Sequence, residues 1–217
     1  MELLAHLLTE DPARPRLTVY NEQTRARLDF SAQTLDNWAA KVANMLYEEL
    51  DLAPGGRVSI CLPCGWQSCV IALGALAAGI DYSFAHDPDA EAEFCSADRA
   101  PEHGGDLVVV TDDPFGRGVV ETGGVLPPGT VDFGPTVRLY GDQFPSPTPA
   151  LRDLAAASGL PAGARALSTG WTDLAGFRRA VLEPLAVGGS AVVVAGMSAP
   201  ERLAEIAEAE KVSLRLA

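Results

Sequence analysis

The sequence predicts an α/β fold with a mainly parallel sheet flanked by helices. Short apolar runs typical of buried strands alternate with segments whose apolar residues recur at helical spacing. Apolar residues make up 47% of the 217 residues and charged residues 21%, a composition typical of a globular protein. Strand, helix and strand in close succession favour right-handed parallel crossovers.

The first half of the chain is predicted to hold a hairpin and the beginning of a parallel sheet. A short helix at 1–8 comes first, Ser31 is placed as the N-cap of a long helix, and Gly79 ends a helix at 66–78. Trp38 and Trp66 lie at core-facing positions of these helices. The predicted strands are 17–20, 27–30, 57–62, 80–85 and 107–110.

The second half begins with a stretch dense in glycine and proline, 112–149, whose order the sequence leaves undecided. Only 136–140 reads as a strand there. Beyond it we expect helices at 150–157 and 174–187, with Phe177 in the core, and a last helix opened by a capping box from Ser198 to Glu201. Strands are expected at 165–167, 191–194 and 212–214. We interpret 1–217 as one domain, with two lobes, 1–111 and 135–217, as the alternative.

Charge and hydropathy exclude two classes of partner. The net charge is −13 and the pI about 4.5, so nucleic acid and membrane surfaces would be repelled. No apolar run is long enough to span a bilayer, and residues 1–8 lack the basic start of a signal peptide. We expect a cytoplasmic protein with reduced thiols at Cys61, Cys64, Cys69 and Cys95.

Three stretches of the chain contain short motifs whose order and spacing match those of one superfamily. They are 27–79, with Pro-Gly-Gly-Arg-Val at 54–58, Leu-Pro at 62–63 and Ala-Gly at 78–79; Asp87-Pro88; and 150–213, with Pro-Leu at 184–185, Gly-Gly at 188–189 and Lys-Val-Ser at 211–213. Together they resemble the N-terminal domain of the AMP-binding, adenylate-forming superfamily of acyl-CoA synthetases, firefly luciferase and peptide-synthetase adenylation domains. The resemblance covers most of this chain but only the front part of a full family enzyme.

The resemblance implies a loop for the ATP phosphates, and this chain departs from it. The family's loop is rich in glycine and serine or threonine and carries a lysine; by register it should follow residue 140. Residues 141–148 instead read Gly-Asp-Gln-Phe-Pro-Ser-Pro-Thr, with prolines that remove N–H donors. The two lysines, Lys41 and Lys211, do not follow a glycine. The family's later motifs would lie beyond Ala217, so we expect no adenylation by this chain.

Residues 168–172, Ser-Thr-Gly-Trp-Thr, superficially resemble the missing loop. Their register places them in a later turn between a strand and a helix. We interpret that turn as structural, with Thr172 or Asp173 as the N-cap.

Other reactive or metal-binding side chains give weaker evidence of a functional site. Cys61 and Cys64 form a C-x-x-C at a strand-to-helix junction, which suits thiol redox chemistry, although Pro63 also fits the family's Leu-Pro turn. The histidines, His6, His86 and His103, are scattered, and 86–89 is interpreted as a solvated turn rather than a metal site.

Two loop motifs are also interpreted as structural. Asp112 and Asp113 follow a predicted strand, where ligands often sit, and are interpreted as a solvated pair. Gly-Arg-Gly at 116–118 does not complete a dinucleotide-binding motif.

These observations predict a non-catalytic protein that binds a ligand or a partner. No catalytic, cofactor-binding or metal-ligating residue is assigned. The expected partners are a small-molecule adenylate or acyl-CoA, a second copy in a homodimer, or a synthetase-like protein. Two alternatives stay open: one half of a split adenylate-forming enzyme, and a C-x-x-C thiol oxidoreductase.

Overall fold

A computed structural model describes residues 1–99 and 106–216 as an α/β protein with two sheets. The strands in these residues are β1 (Pro15–Asn21), β2 (Ala26–Ser31), β3 (Arg57–Cys61), β4 (Asp81–Ser83), β5 (Ala92–Cys95), β6 (Asp106–Val109), β7 (Val131–Asp132), β8 (Arg165–Ser168), β9 (Ser190–Ala195) and β10 (Leu214–Arg215). Within the described residues every strand pairing is parallel except the β1–β2 hairpin. The predicted fold class is confirmed.

Helices accompany both sheets. They are α1 (Ala5–Glu10), α2 (Ala32–Glu48), α3 (Trp66–Ala78), α4 (Phe133–Val137), α5 (Ala155–Ser158), α6 (Leu174–Phe177), α7 (Glu183–Ala186) and α8 (Pro200–Ala209). Short 3₁₀ turns occur at Ala97–Arg99 and Leu151–Leu154, and a π turn at Arg178–Leu182 joins α6 to α7. The Ser31 hydroxyl accepts from the Thr34 backbone N–H at 3.1 Å, which confirms the predicted N-cap of α2.

The chain divides into two compact units. The central unit comprises Met1 and Asp36–Pro149, and the terminal unit comprises Glu2–Leu35 and Ala150–Ala217. This division differs from the lobe boundaries 1–111 and 135–217, because β1, near the start of the chain, pairs with β9, near its end. That 1–217 forms one domain stays a prediction.

The terminal unit is built on the sheet β10-β8-β9-β1-β2. All six residues of β9 are buried, as expected for a strand covered on both faces. Helix α8 packs on one face, where its Ile206 and Ala207 join Tyr20, Leu167 and Val192 in a buried cluster.

The central unit is built on the sheet β4-β3-β5-β6-β7. Its middle strand β5 is absent from the sequence prediction, because its four residues include Glu93 and follow further acidic residues. Helices α2 and α3 cross closely where Gly74 meets Val42; a Cβ on Gly74 would lie 2.4 Å from the Val42 side chain. Glycine is therefore needed for this approach.

Two local predictions are wrong. Residues 136–140 do not form a strand: α4 occupies Phe133–Val137, with Asp132 at its N-cap position, and Leu139 beyond it is 82% exposed. The apolar pattern that resembles a strand instead places Val137 on the buried side of a short helix. The capping box at Ser198 is also not formed, because α8 begins at Pro200 with Ala199 as its N-cap and no side-chain cap.

No helix in residues 1–99 or 106–216 has the length and apolar character needed to cross a membrane.

Candidate functional site

The segment that follows Tyr140, where the phosphate loop was expected, lies along helix α2. The amide nitrogen of Asn44 donates to the backbone oxygens of Gly141 at 3.2 Å and Gln143 at 2.9 Å. Because Asn44 is buried, its amide nitrogen needs protein partners in place of water, and these two hydrogen bonds provide them. The segment is thereby fixed through its carbonyl groups, which accept hydrogen bonds and cannot donate to a phosphate.

Lys41 also binds this segment. Its ammonium donates to the Tyr140 carbonyl at 2.6 Å and pairs with Asp142 at 2.9 Å. A polyphosphate site requires backbone N–H donors and an uncompensated cation. Here the cation is neutralised, and the prolines at 145, 147 and 149 carry no N–H. The residues present do not fit the phosphates of ATP.

Lys211, the other lysine of the chain, lies just beyond the end of α8 with a φ of +51°. Its position at a helix end is unrelated to any glycine-rich loop. The turn at 168–172 connects β8 to α6, and the Asp173 carboxylate accepts from the Gly176 N–H at 2.7 Å, which confirms Asp173 as the N-cap.

Cys61, the first thiol of the C-x-x-C, occupies an environment that keeps it protonated. Cys61 ends β3 and is the register partner of Cys95 at the end of β5. Burial raises the pKa of Cys61 to about 12, and the neighbouring Glu93 carboxylate adds to this. Burial and Glu93 likewise raise the pKa of Cys95 to about 11. Because the thiolate is the reactive form, this arrangement disfavours thiol redox chemistry at Cys61.

The predicted loop groups are structural in the central unit. His86 contacts the buried Glu93 carboxylate through Nδ1 at 2.6 Å. Asp113 is buried rather than solvated: hydrogen bonds from the Arg117 guanidinium, together with the Phe115 and Arg117 N–H groups, lower its pKa. Asp112 is exposed. His103 lies outside the described residues, and the described ones include no group of three His, Cys, Asp or Glu placed to hold a metal ion.

A cleft of about 510 Å³ opens in the terminal unit, and the sequence analysis did not predict it. We call it the α1 cleft. Its polar residues are His6 and Glu10 of α1 and Arg152 of the 3₁₀ turn. Its remaining lining is small or apolar: Ala155, Ala156, Leu160, Ala162, Ala186, Val187 and Gly188. An adjoining hollow of about 380 Å³ shares His6, Glu10 and Arg152 and is completed by Glu2, Ala5, Thr9 and Ala150.

A buried arginine fixes one wall of the α1 cleft. Arg16 is 0% exposed and donates to the carbonyls of Gly188 at 2.6 Å and Gly189 at 3.2 Å. The same guanidinium binds the Glu10 carboxylate at 3.0 Å. A buried charge needs such partners, so Glu10 and the 188–189 turn are held by a single side chain. His6, on the same helix, donates from Nε2 to the Leu185 carbonyl at 2.9 Å.

The sequence relationship decides the family. A relative from Mycobacterium tuberculosis, named as a TIGR03089 family protein, is 38% identical over 218 residues, which cover 89% of this chain and 88% of the relative. The chain belongs to the TIGR03089 family. No family model matches the sequence, so membership rests on this relationship.

The fold of this TIGR03089 chain is that of the N-terminal part of adenylate-forming enzymes. It superposes on an acyl-CoA synthetase of Brucella canis with a TM-score of 0.78 at 17% identity, over 99% of this chain and 47% of that one. A benzoate CoA ligase of Burkholderia xenovorans gives 0.67 at 15% identity, over 99% and 50%. The anthranilate CoA ligase AuaEII, solved with anthranoyl-AMP, gives 0.68 at 13% identity, over 98% and 48%. The chain spans about half the length of these enzymes.

Sequence reasoning missed the residues of the α1 cleft because they lie far apart in the chain. His6 is one of three scattered histidines, and Arg152 lies 146 positions further along the chain. The pairing of β1 with β9 brings these distant segments into one unit. No local pattern could have indicated the cleft.

Proposed function

We propose that this chain is a non-catalytic binding protein that uses the fold of an adenylate-forming N-terminal domain. The observation that carries the proposal is the segment after Tyr140, which is fixed to α2 through its carbonyl groups and whose neighbouring lysine is already paired. A protein that activates a carboxylate with ATP must hold the triphosphate, whereas in this segment three prolines remove N–H donors and the neighbouring lysine is paired with Asp142.

The binding role is supported by two features of the molecule. The α1 cleft has a volume within the range of roughly 300–1,000 Å³ that is usual for small-molecule sites. In the central unit, four large apolar side chains are exposed and would suit a protein partner, namely Phe115 at 78%, Val120 at 65%, Val125 at 87% and Leu139 at 82%. A small-molecule adenylate, an acyl-CoA, a second copy of the chain and a synthetase-like protein are all candidates.

Pyrophosphate exchange tests the non-catalytic part directly. We expect no exchange of labelled pyrophosphate into ATP with a panel of aliphatic and aromatic carboxylates. An acyl-CoA synthetase of the same fold serves as the positive control. Exchange that depends on the carboxylate and survives further purification would overturn the proposal.

A thermal-shift panel with AMP, ATP, CoA, an acyl-CoA and a non-hydrolysable acyl-adenylate analogue tests the binding part. A ligand that binds only the folded state raises the melting temperature once its concentration exceeds its Kd. A shift with the adenylate or acyl-CoA would identify the ligand. No shift would direct the search to protein partners, which light scattering and co-purification would identify.

A second candidate is that the chain is one half of a split adenylate-forming enzyme, whose remaining part is a separate polypeptide. The match to about half the length of the solved synthetases favours it. In that case pyrophosphate exchange would be absent from the isolated chain and would emerge on mixing with the completing fragment. The same mixture made with an unrelated protein is the control.

A further inference from the structure

The α1 cleft contains one arginine, Arg152, whose side chain is exposed. The protein as a whole is acidic, with 29 Asp and Glu against 16 Lys and Arg. Nevertheless, the Arg152 guanidinium has no hydrogen bond or ion pair with any residue in 1–99 or 106–216. The cleft's own carboxylate, Glu10, is already taken, because its two oxygens bind Arg14 and Arg16, each at 3.0 Å. Arg152 is thus available to an anion.

His6 provides a second polar contact in the same cleft. The Leu185 carbonyl can only accept a hydrogen bond, so Nε2 of His6 must carry the proton in their 2.9 Å bond. The ring is held in that orientation, and Nδ1 has no partner among the described residues. With the proton on Nε2, Nδ1 of the neutral ring can accept a hydrogen bond from a ligand O–H or N–H, and the Arg152 guanidinium is the donor for an anionic head group.

The remaining lining of the cleft, which we call the alanine wall, is apolar and mostly made of small side chains. Ala155, Ala156 and Leu160 come from the segment after Arg152, and Ala186 and Val187 from the end of α7. Alanines leave room for a ligand body where longer side chains would fill the cleft. Burying apolar ligand surface against them removes it from water, which favours binding.

The wall behind this space is preorganised. Arg16 binds both the 188–189 turn and Glu10, and Gly188 has a φ of +72°, a conformation that glycine adopts readily. Walls that are held by the buried Arg16 side chain need little reordering when a ligand enters.

We infer that the α1 cleft binds a small ligand with one anionic head group and an apolar body. The anionic head group lies against Arg152, and the body packs on the alanine wall. The inference rests on the proposal that the chain acts by binding. With a single uncompensated arginine, the cleft fits one carboxylate or phosphate monoester and not a polyphosphate.

Calorimetry with three matched probes tests this: hexanoate, hexyl phosphate and hexanol. We expect at least one of the two anions to bind, and hexanol to bind about tenfold or more weakly, because a charge-assisted pair is lost. Hexanoate alone would identify a carboxylate head group, and hexyl phosphate alone a phosphate. Hexanol binding as tightly as both anions, or binding of none of the three at low millimolar concentration, would overturn the inference.

Two variants locate the site. Arg152→Ala should weaken binding of the anion by about tenfold or more, whereas Arg215→Ala, which removes the same charge from an exposed position in the terminal unit, should not. Ala156→Trp should fill the cleft and abolish binding while the melting temperature shows that the protein is folded. Unchanged affinity in both cleft variants would exclude this site. It would leave the non-catalytic proposal untouched, since that one is decided by pyrophosphate exchange.

Discussion

The Asn44 side chain donates to the backbone oxygen of Gln143 at 2.9 Å and joins residues 99 positions apart. A second bond from the same amide reaches Gly141. The ring of Phe144 then packs edge-on against Tyr47, with centroids 5.2 Å apart. This arrangement gives the 141–144 segment a structural role on α2, in the place where a phosphate loop was expected.

Replacing Asn44 should release this segment. In Asn44→Ala both carbonyls lose a buried partner, so we expect the free energy of unfolding to fall by about 1–3 kcal/mol. Urea unfolding measures the change, and limited proteolysis should cut within 141–149 faster than in the wild type. Glu48→Ala, at an exposed position on the same helix, is the control and should behave as the wild type. Equal stability and equal cleavage would show that the two bonds do not anchor the segment.

Cys61 should be a slow nucleophile at neutral pH. Its pKa of about 12 follows from burial and the adjacent Glu93 carboxylate, so only a minute fraction is thiolate near pH 7. In a Cys64→Ser background, mass spectrometry of iodoacetamide labelling should show Cys61 reacting far more slowly than a free thiol, with a rate that rises into strongly alkaline pH.

Glu93→Gln provides the matched comparison for the thiol. It keeps the shape of the side chain and removes the charge, so the pKa of Cys61 should fall and its labelling should accelerate. A labelling midpoint near the ordinary thiol pKa of about 8.5 in the wild type would contradict the prediction and revive the C-x-x-C alternative.

The strands and helices with strong periodicity could be predicted from the sequence. Helix α3 begins at Trp66 and ends at Ala78 as predicted, because Gly79 with its φ of +68° provides a clear C-terminal stop. The β1–β2 hairpin and the buried strand β9 were equally evident. Each is specified by residues within one short window.

The errors arise where tertiary packing outweighs the local pattern. Strand β5 lies between β3 and β6, and this position buries even its charged residue Glu93. The local sequence does not indicate such a strand. The α1 cleft depends on segments at opposite ends of the chain, which β1 and β9 bring together. The poor match of the segment after Tyr140 to a phosphate loop depends on residue types alone, namely two lysines in the chain and three prolines in one short segment.

Glu210 should stabilise the terminal unit in a pH-dependent way. Burial alone would raise its pKa, but hydrogen bonds from Arg27, Tyr20 and Arg165 outweigh burial and lower it from 4.5 to about 2. The folded-state pKa is therefore below the unfolded one. The stabilisation is complete above about pH 4.5 and is lost as the pH falls towards 2.

The measurement compares Glu210→Gln with the wild type by urea unfolding. Near neutral pH the variant should lose about 1–3 kcal/mol, because the charge-assisted bonds to Arg27 and Arg165 are weakened. The difference should shrink as the pH is lowered through the window from 4.5 to about 2. Glu208→Gln, at an exposed position on α8, should show no such dependence. A difference that does not vary with pH would mean that the charge of Glu210 is not what stabilises the unit.

Gly134 should not tolerate a side chain. A Cβ at this position would lie 2.5 Å from the Gly116 carbonyl oxygen and 2.6 Å from the Gly118 nitrogen. Because both neighbours are backbone atoms, a shift of the whole 116–118 loop would be required, and Gly134→Ala should cost about 1–3 kcal/mol. Gly141→Ala is the control, since its nearest neighbour would be 3.9 Å away. Thermal unfolding should give a lower melting temperature for Gly134→Ala alone; equal values for the two variants would show that the loop yields without cost and that α4 is not packed against it.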